Sequence, residues 1–407
     1  MRRFLLTGLI ATTALTLAPF AVAEDAPLPT AAGVHAKALV LDGHADVLLP
    51  ETPRRYYLPG GGSRVDLLHL KAGGVDAVVL AVAVGPGPRD AAGVAAARKE
   101  ADAKLALIRK LAADNPASVG IARSPGDVEA LHAQGKIALI IGFQNARSIG
   151  SDVSQLDVFY RAGARVFALN HAGHNAFSDS SRPDKEPAAE HKGLSPLGRE
   201  AVKRLNDLGA LIDVSQLSTD ALLQTLALSR APVAATHSNP RALIDNTRNL
   251  SDAELDAIKA KGGIVQLTPF SSYLHVATEA ERAKVSAVRV GFGLPAAYKT
   301  AYDDSDTLPP AQREAYLDAA SAAAPRATLA EYADHIDYVV KRIGWQHVGI
   351  GTDFDHGAGV TGFDSEAEAP NVTAELLKRG YSTDQIDAIW GGNFLRVWRA
   401  AEAARAR

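Results

Sequence analysis

The chain has 407 residues, of which 47% are hydrophobic and 22% charged, a balance that allows a large buried core and excludes a disordered or fibrous protein. Its formal net charge of -3 and the absence of Lys and Arg runs exclude the clustered positive surface that nucleic-acid binding requires. It has no cysteine, which excludes disulfides and a lipid-anchored export signal and leaves His, Asp, Glu and amide oxygens as metal ligands.

The first residues have the layout of a cleavable secretory signal. Arg2 and Arg3 precede an apolar run over residues 4–20, and the small residues 21–23 come just before the first acidic side chains. An uncleaved membrane anchor is the alternative, but the run is short and contains several threonines and a proline. We therefore predict a signal peptide over residues 1–23, a mature chain without a membrane span, and a periplasmic or secreted location.

Eight short apolar runs rich in Val, Ile, Leu and Ala predict buried β-strands, each followed by a helical pattern or a turn. In chain order they cover residues 38–43, 76–84, 137–143, 166–169, 210–214, 232–236, 263–267 and 347–351. The clearest helix spans residues 195–208, with Ser195 as its cap and Pro196 in its first turn. Eight such strands alternating with helices are typical of a closed parallel (β/α)8 TIM barrel of the α/β class. We predict one such domain over residues 24–407.

Two stretches depart from this repeat. Residues 50–63 form a loop after the first strand, and residues 275–328 form a long insertion between the seventh and eighth strands. Both follow the carboxyl ends of strands, which is the face where barrels build active sites. The insertion is therefore a candidate lid or substrate wall, and a pair of added surface helices without a catalytic role is the alternative interpretation.

Polar residues gather where the predicted strands end. His44 and Asp46 follow the first strand, and residues two apart at a strand end point the same way and can share one ion. The later strand ends carry Gln144, Asn170, His171, Asp213, Gln216, His237 and Asp353. Repeated His, Asp and amide side chains at successive strand ends are hard to explain as core filling. Together they predict a metal-dependent active site on a metal-dependent hydrolase barrel.

These motifs, in their order and spacing, resemble the membrane (renal-type) dipeptidase family, peptidase family M19, a branch of the amidohydrolase-type barrels. The matching segments are residues 41–46, 170–171, 179–181, 193–198, 236–242, 247–252, 349–355 and 392–397. The resemblance implies a metallo-dipeptidase whose typical members hold two zinc ions. By position in the motifs, the metal ligands that it implies are His44, Asp46 and His237. The other groups that it implies are the proton-handling carboxylate Asp353, the transition-state histidine His171, the carboxylate-binding Arg248 and the substrate-pocket Tyr273.

Two of the family's ligand positions differ in this chain. Gln144 stands where a bridging Glu is typical, and Gln216 stands where a His is typical. An amide oxygen is a poor zinc ligand, and neither Gln brings the negative charge that a second ion needs. We therefore expect one zinc ion rather than two, held by His44, Asp46, His237 and Asp353. Three further histidines on strand-end loops are candidates for a replacement ligand, although each alone is better explained as exposed or hydrogen-bonded: His174, His191 and His356.

The preferred hypothesis is an exported metallo-dipeptidase that hydrolyses a dipeptide or similar small amide whose carboxylate pairs with Arg248. The ion would supply a water of lowered pKa, Asp353 would take and pass on the proton, and His171 would steady the oxyanion. The two glutamines motivate an alternative, a periplasmic binding or maturation protein for peptide-like molecules that has lost productive metal binding. A third hypothesis keeps the metal and changes the substrate to a lactone or non-peptide amide. A small dipeptide-like substrate is the expected partner, and a homodimer is compatible with the sequence.

Overall fold

The computed structural model describes residues 30–58, 61–183, 188–298 and 300–406. The predicted signal peptide, residues 1–23, lies outside the described residues. Within those ranges, no helix combines the length and the apolar character that crossing a bilayer requires.

The strands of the described residues form one parallel sheet. They are β1 (Leu41–Asp46), β2 (Ala77–Ala83), β3 (Val119–Ala122), β4 (Ile137–Gln144), β5 (Ala164–Ala168), β6 (Leu211–Asp213), β7 (Ala234–Ala235), β8 (Ile264–Leu267) and β9 (Val348–Ile350). Their order is β1-β2-β4-β5-β6-β7-β8-β9, with β3 attached to β4. The two ends of the sheet meet where Asp46 N donates to Phe354 O at 2.9 Å and Asp353 N donates to His44 O at 2.7 Å. The predicted eight-stranded parallel barrel is confirmed.

Two strands differ from the sequence-based prediction. β3 was not predicted, because its four residues are only half-buried in the middle and include Gly120, so no apolar run marks them. β1 begins and ends three residues later than predicted, at Leu41 and Asp46. Its polar residues His44 and Asp46 therefore belong to the strand itself, and the barrel fixes their side chains more firmly than a loop would.

The helices surround the barrel and close one end of it. In the described residues they are α1 (Ala31–His35), α2 (Leu67–Ala72), α3 (Ala91–Asp114), α4 (Pro125–Ala133), α5 (Gln155–Ala162), α6 (Pro196–Leu208), α7 (Thr219–Leu228), α8 (Asp252–Ala260), α9 (Ser271–Leu274), α10 (Glu279–Gly291), α11 (Pro310–Ala323), α12 (Leu329–Ile343), α13 (Ala369–Lys378), α14 (Thr383–Asp387) and α15 (Asn393–Ala403). The predicted helix is α6, and Ser195 caps it by accepting from Gly198 N at 3.1 Å. Phe394 and Trp398 of α15 share one apolar cluster with inward-facing strand residues such as Leu41 and Ile140. Helix α15 thus plugs the barrel, and the polar strand ends lie at the other end.

The insertion between β8 and β9 packs on the loop that follows β1. Helices α10 and α11 share an apolar cluster of their own, which includes Val285, Tyr316 and Leu317. Arg54 in the loop forms an ion pair with Asp318 of α11 at 3.4 Å. In the same loop, the ring of Tyr56 stacks on His356, with the ring centroids 5.4 Å apart. The insertion therefore reaches the polar strand ends through this loop.

Candidate active site

The carboxyl ends of the strands bring three of the four predicted metal ligands together. His44 and Asp46 lie in β1, and Asp353 follows β9. His44 Nε2 is 3.7 Å from Asp46 Oδ1 and 3.9 Å from Asp353 Oδ1, and all three side chains are buried. Their ligand atoms all lie within 4.8 Å of one another. Residues two apart in a strand point to the same side, which is why His44 and Asp46 share this site.

These three residues fit one metal ion. His44 Nε2 and Asp46 Oδ1 are buried and have no hydrogen-bond partner among the described residues. A buried polar atom without a partner costs about 1–3 kcal/mol, and a divalent cation between the two atoms would satisfy both. Imidazole nitrogen and carboxylate oxygen are donors that zinc accepts, and two carboxylates balance the charge of one such ion.

His356 contacts the site through Asp46. Its Nδ1 is 2.7 Å from Asp46 Oδ2, the oxygen that does not face His44. Burial opposes protonation of His356, but the charge of Asp46 raises its pKa above the ordinary value. The other two candidate replacement ligands bind the loop after β5: His174 Nδ1 accepts from Ser180 N at 3.0 Å, and His191 Nε2 lies 2.8 Å from Asn175 O.

The hydrogen bonds of Thr236 fix the tautomer of His237. The Thr236 hydroxyl donates its one hydrogen to Asp213 Oδ2 at 2.6 Å, so its 2.7 Å contact with His237 Nδ1 must be an N–H donated by the ring. The lone pair of the neutral imidazole is therefore on Nε2. Burial, followed by the positive charge of nearby His44, holds the pKa of His237 well below its ordinary value. His237 thus presents an acceptor atom to the site.

Gln144 and Gln216, the two residues that differ from the family's typical ligands, both lie next to His237 Nε2. Gln216 Nε2 is 3.1 Å and Gln144 Nε2 is 3.3 Å from His237 Nε2. Arg182 fixes the orientation of Gln216, because its Nη2 donates to Gln216 Oε1 at 2.8 Å and a guanidinium can only donate. Gln216 therefore turns its N–H group, and not its oxygen, toward His237. The imidazole of His237 stacks on that of His44, with centroids 3.7 Å apart, and lies beside the three-residue cluster.

A second group of candidate ligand atoms is already satisfied by hydrogen bonds. His44, Asp213 and His237 also place ligand atoms within 4.8 Å of one another. Asp213 Oδ1, however, accepts from Ser215 N at 2.9 Å and Thr236 N at 3.1 Å, and Asp213 Oδ2 accepts from the Thr236 hydroxyl. Asp213 therefore orients His237 through Thr236, which leaves the cluster of His44, Asp46 and Asp353 as the better metal site.

Asp353 is held in an unusual backbone conformation. Its φ of 56° lies in the left-handed region, which Asp tolerates better than most residues. Its N–H is fixed by the carbonyl of His44, and Thr352 beside it donates its N–H to Asp42 Oδ1 at 2.7 Å. Burial raises the pKa of the Asp353 carboxyl above its ordinary value. A carboxyl group with a raised pKa is suited to taking up and releasing a proton.

His171 lies at the edge of the cluster as a neutral imidazole. Its ring meets that of His356 edge to face, with centroids 4.9 Å apart, and its Nδ1 has no hydrogen-bond partner among the described residues. Burial, followed by the charges of His356 and Arg182, holds the pKa of His171 well below its ordinary value. A neutral imidazole carries one N–H, which a ligand oxygen can accept.

Arg248 and Tyr273, the two residues predicted to bind substrate, contact each other. The guanidinium of Arg248 is buried and stands 5.7 Å from the centre of the Tyr273 ring. Arg248 donates to Ser215 O at 2.8 Å, His237 O at 2.6 Å and Ser238 Oγ at 3.0 Å, and its Nε is buried without a partner among the described residues. Burial lowers the pKa of Arg248 to about 10, so the side chain remains charged at neutral pH.

A cavity of about 410 Å³ opens beside the cluster. Asp46, His171 and His356 line it, together with Leu49 and Tyr56 of the loop after β1. The cavity is large enough for a dipeptide with side chains. The loop that the insertion contacts thus lines the space next to the candidate metal ligands.

The family model described as membrane dipeptidase (peptidase family M19) matches residues 29–407. The chain belongs to this family. Dipeptidase tcpJ of Claviceps purpurea is 31% identical over 69% of this chain and 55% of that protein, and dipeptidase aclJ of Aspergillus oryzae is 32% identical over 65% and 52%. The chain therefore spans about half the length of these curated relatives.

Solved structures agree with this membership. The crystal structure of the probable dipeptidase PvdM from Pseudomonas aeruginosa shares 39% identity with a TM-score of 0.79, covering 92% of this chain and 98% of that chain. A metallo peptidase from Rhodobacter sphaeroides, liganded with a phosphinate mimic of the dipeptide L-Ala-D-Ala, shares 24% identity with a TM-score of 0.69, covering 89% and 99%. The latter likeness shows the fold alone.

Within this M19 site, sequence analysis missed two residues. Arg182 lies in the loop after β5 and holds both Gln216 and the Tyr273 hydroxyl, the latter at 2.9 Å. Tyr56 lies in the loop after β1 and stacks on His356. Both residues are far in sequence from the residues they contact, so the sequence alone did not predict these contacts. The one signal for Arg182 was its place directly after the family motif at residues 179–181.

Proposed function

We propose that the protein is an exported, metal-dependent dipeptidase that hydrolyses dipeptides or similar small amides with one zinc ion. The observation that carries the proposal is the buried cluster of His44, Asp46 and Asp353, in which two ligand atoms have no other partner among the described residues. The named dipeptidases among the relatives support the reaction class. The sequence of residues 1–23 supports export.

In the proposed mechanism, the chain's own residues orient the substrate and move one proton. A bound divalent ion would supply polarisation of the scissile carbonyl and a water of lowered pKa. Asp353 would take the proton from the attacking water and deliver it to the leaving amine nitrogen. His171 would donate its N–H to the oxygen of the tetrahedral intermediate.

The substrate proposed is small and carries a carboxylate. The cavity of about 410 Å³ beside Asp46 and His171 supports a dipeptide-sized molecule. Arg248 stands over the Tyr273 ring and Arg182 donates to the Tyr273 hydroxyl, so two positive charges lie at Tyr273. In the proposal, Arg248 attracts the substrate carboxylate and Tyr273 forms part of the pocket wall, as in the family.

The test is to measure metal content and hydrolysis on the same purified protein. We expect about one zinc ion per chain and turnover within a panel of L,L and L,D dipeptides. His44→Ala should lose both the ion and turnover, and Asp353→Asn should lower kcat/KM by about 10²–10⁴-fold. The control is His69→Ala, because His69 pairs with Asp66 on α2 and should leave both quantities unchanged. Hydrolysis that survives His44→Ala at the wild-type rate would refute the mechanism.

One observation favours a second function, a binding or maturation protein for peptide-like molecules. Gln144 and Gln216 both turn amide nitrogens toward His237 Nε2 and so occupy the acceptor that a metal ion would use. Protein that holds no ion and hydrolyses no dipeptide, but binds a peptide analogue by calorimetry, would support this function. A bound ion with turnover of lactones or non-peptide amides alone would support a metallo-hydrolase with a different substrate.

A further inference from the structure

Arg182 is a cation in the site that has no acidic partner among the described residues. Its Nη1 donates to the Tyr273 hydroxyl at 2.9 Å and its Nη2 donates to Gln216 Oε1 at 2.8 Å. Both partners are neutral, and the guanidinium forms no ion pair with Asp or Glu among the described residues. Its Nε is buried and has no hydrogen-bond partner in the described part of the chain. Arg182 is half-buried, and a guanidinium that enters a polar site usually pairs with a carboxylate, so its two neutral partners call for a reason.

The position of Arg182 supplies that reason. Gln216 stands at one of the two ligand positions in which this chain differs from the family, and Arg182 contacts that residue directly. The hydrogen bonds run from Arg182 to Gln216 Oε1 and from Gln216 Nε2 to His237 Nε2 at 3.1 Å. The guanidinium thus sets which end of the amide faces His237. With a His at position 216, this acceptor for Arg182 would be missing.

The charges in the site also bear on how many metal ions it can hold. Gln144 and Gln216 are neutral, so the carboxylates of Asp46 and Asp353 balance only one divalent ion. A guanidinium keeps its charge at any pH that the protein tolerates, and it repels a cation bound nearby. We propose that Arg182 takes the place of the second metal ion in this chain: its fixed charge and its contact with Gln216 keep a second cation out.

The inference deepens the proposed function and rests on it only for the first ion, held at His44, Asp46 and Asp353. The test counts zinc by mass spectrometry, after chelation and equilibrium dialysis against buffered zinc. Wild-type protein should hold one ion, and Gln144→Glu with Gln216→His should still hold one although both family ligands are restored. Adding Arg182→Leu should raise the count to two.

Two matched variants distinguish the effect of the Arg182 charge from the effect of removing an arginine side chain elsewhere. In the same double-variant background, Arg182→Lys keeps the charge and should hold one ion. Arg199→Leu removes an arginine that contacts Gln224 instead, and it should also hold one ion. Two ions with Arg182 intact, one ion after Arg182→Leu, or two ions with Arg182→Lys would each overturn the proposal.

A single substitution keeps the inference testable if the combined variants do not fold. Arg182→Met alone removes a positive charge near the first ion, so the zinc Kd measured against a competing chelator should fall by about tenfold. Arg182→Lys should keep the wild-type Kd within about twofold, because the charge is retained. Equal Kd values for wild type and Arg182→Met would overturn the proposal. None of these measurements uses turnover, so an inactive protein would refute the dipeptidase function and leave this inference standing.

Discussion

Thr236 is the residue on which the orientation of His237 depends. Thr236→Val removes the hydroxyl that donates to Asp213 and accepts from His237, so two buried groups each lose a hydrogen bond. One of these bonds is to a charged carboxylate, so we expect the free energy of unfolding to fall by about 3 kcal/mol. Urea denaturation of the metal-free protein measures this change without interference from ion binding.

Thr225 offers a matched control for this prediction. It is as fully buried as Thr236, but its hydroxyl donates to the Ala221 carbonyl within α7, at 2.7 Å. Thr225→Val removes one hydrogen bond between neutral groups and should lower stability by about 1 kcal/mol or less. An equal decrease in the free energy of unfolding for the two variants would show that the hydrogen bonds of Thr236 to Asp213 and His237 do not add to stability.

At the residue scale, sequence predicted the positions in the site but not the contacts among them. His44 and Asp46 were predicted to share a site because their spacing in a strand decides which way they point. The orientation of Gln216 depends on Arg182, which approaches from a different loop, and no spacing rule links the two. The same holds for the pairing of His356 with Asp46, which requires β1 and the segment after β9 to lie side by side.

At the scale of elements, His275 links α10 of the insertion to α12, the helix that follows the insertion. Its Nδ1 is 2.8 Å from Glu331 at the start of α12, and its Nε2 is 3.1 Å from Glu281 at the start of α10. The hydrogen bond to Glu281, despite partial burial, raises the pKa of His275 above its ordinary value. Because the folded-state pKa is the higher one, this stabilisation is complete below about pH 6.5 and is lost as pH rises through the folded-state pKa.

We expect His275→Gln to increase hydrogen exchange in residues 279–291 strongly at pH 6 and only weakly at pH 9. Wild type and variant are compared at the same pH, so the intrinsic exchange rates cancel. His69→Gln is the control, because His69 pairs with Asp66 on α2 and lies outside the insertion. An effect of His275→Gln that is equal at both pH values would mean that the charge of His275 does not hold these helices.

The pattern of elements was predictable where a run of apolar residues was long. β2 and β4 were predicted nearly in full because each has at least seven consecutive buried residues. β7 contains only Ala234 and Ala235, and β3 is interrupted by Gly120, so the sequence could not define either strand well. The insertion was located from its length, but its packing on the loop of Tyr56 depends on contacts distant in sequence.

At the scale of the whole molecule, the proposed ion joins the two ends of the sheet. β2 and β4 pair along their length from Ala77 to Ala83, whereas β1 meets the segment after β9 through two backbone hydrogen bonds. His44 and Asp46 lie on one side of this closure and Asp353 lies on the other. A metal ion bound to all three would therefore cross-link the two ends of the sheet at this closure.

Removal of the ion should loosen the barrel at that closure first. An ion present at about 1,000 times its Kd stabilises the folded protein by about 4 kcal/mol, so chelation should lower the Tm by about 5–10 °C. Hydrogen exchange should rise in residues 41–46 and 351–355 and stay unchanged in β4. His44→Ala, which lacks a ligand, should show the same Tm with and without zinc. A zinc response that persists in His44→Ala would place the stabilising ion elsewhere in the protein, and a uniform rise in exchange would show that the ion does not act at the closure.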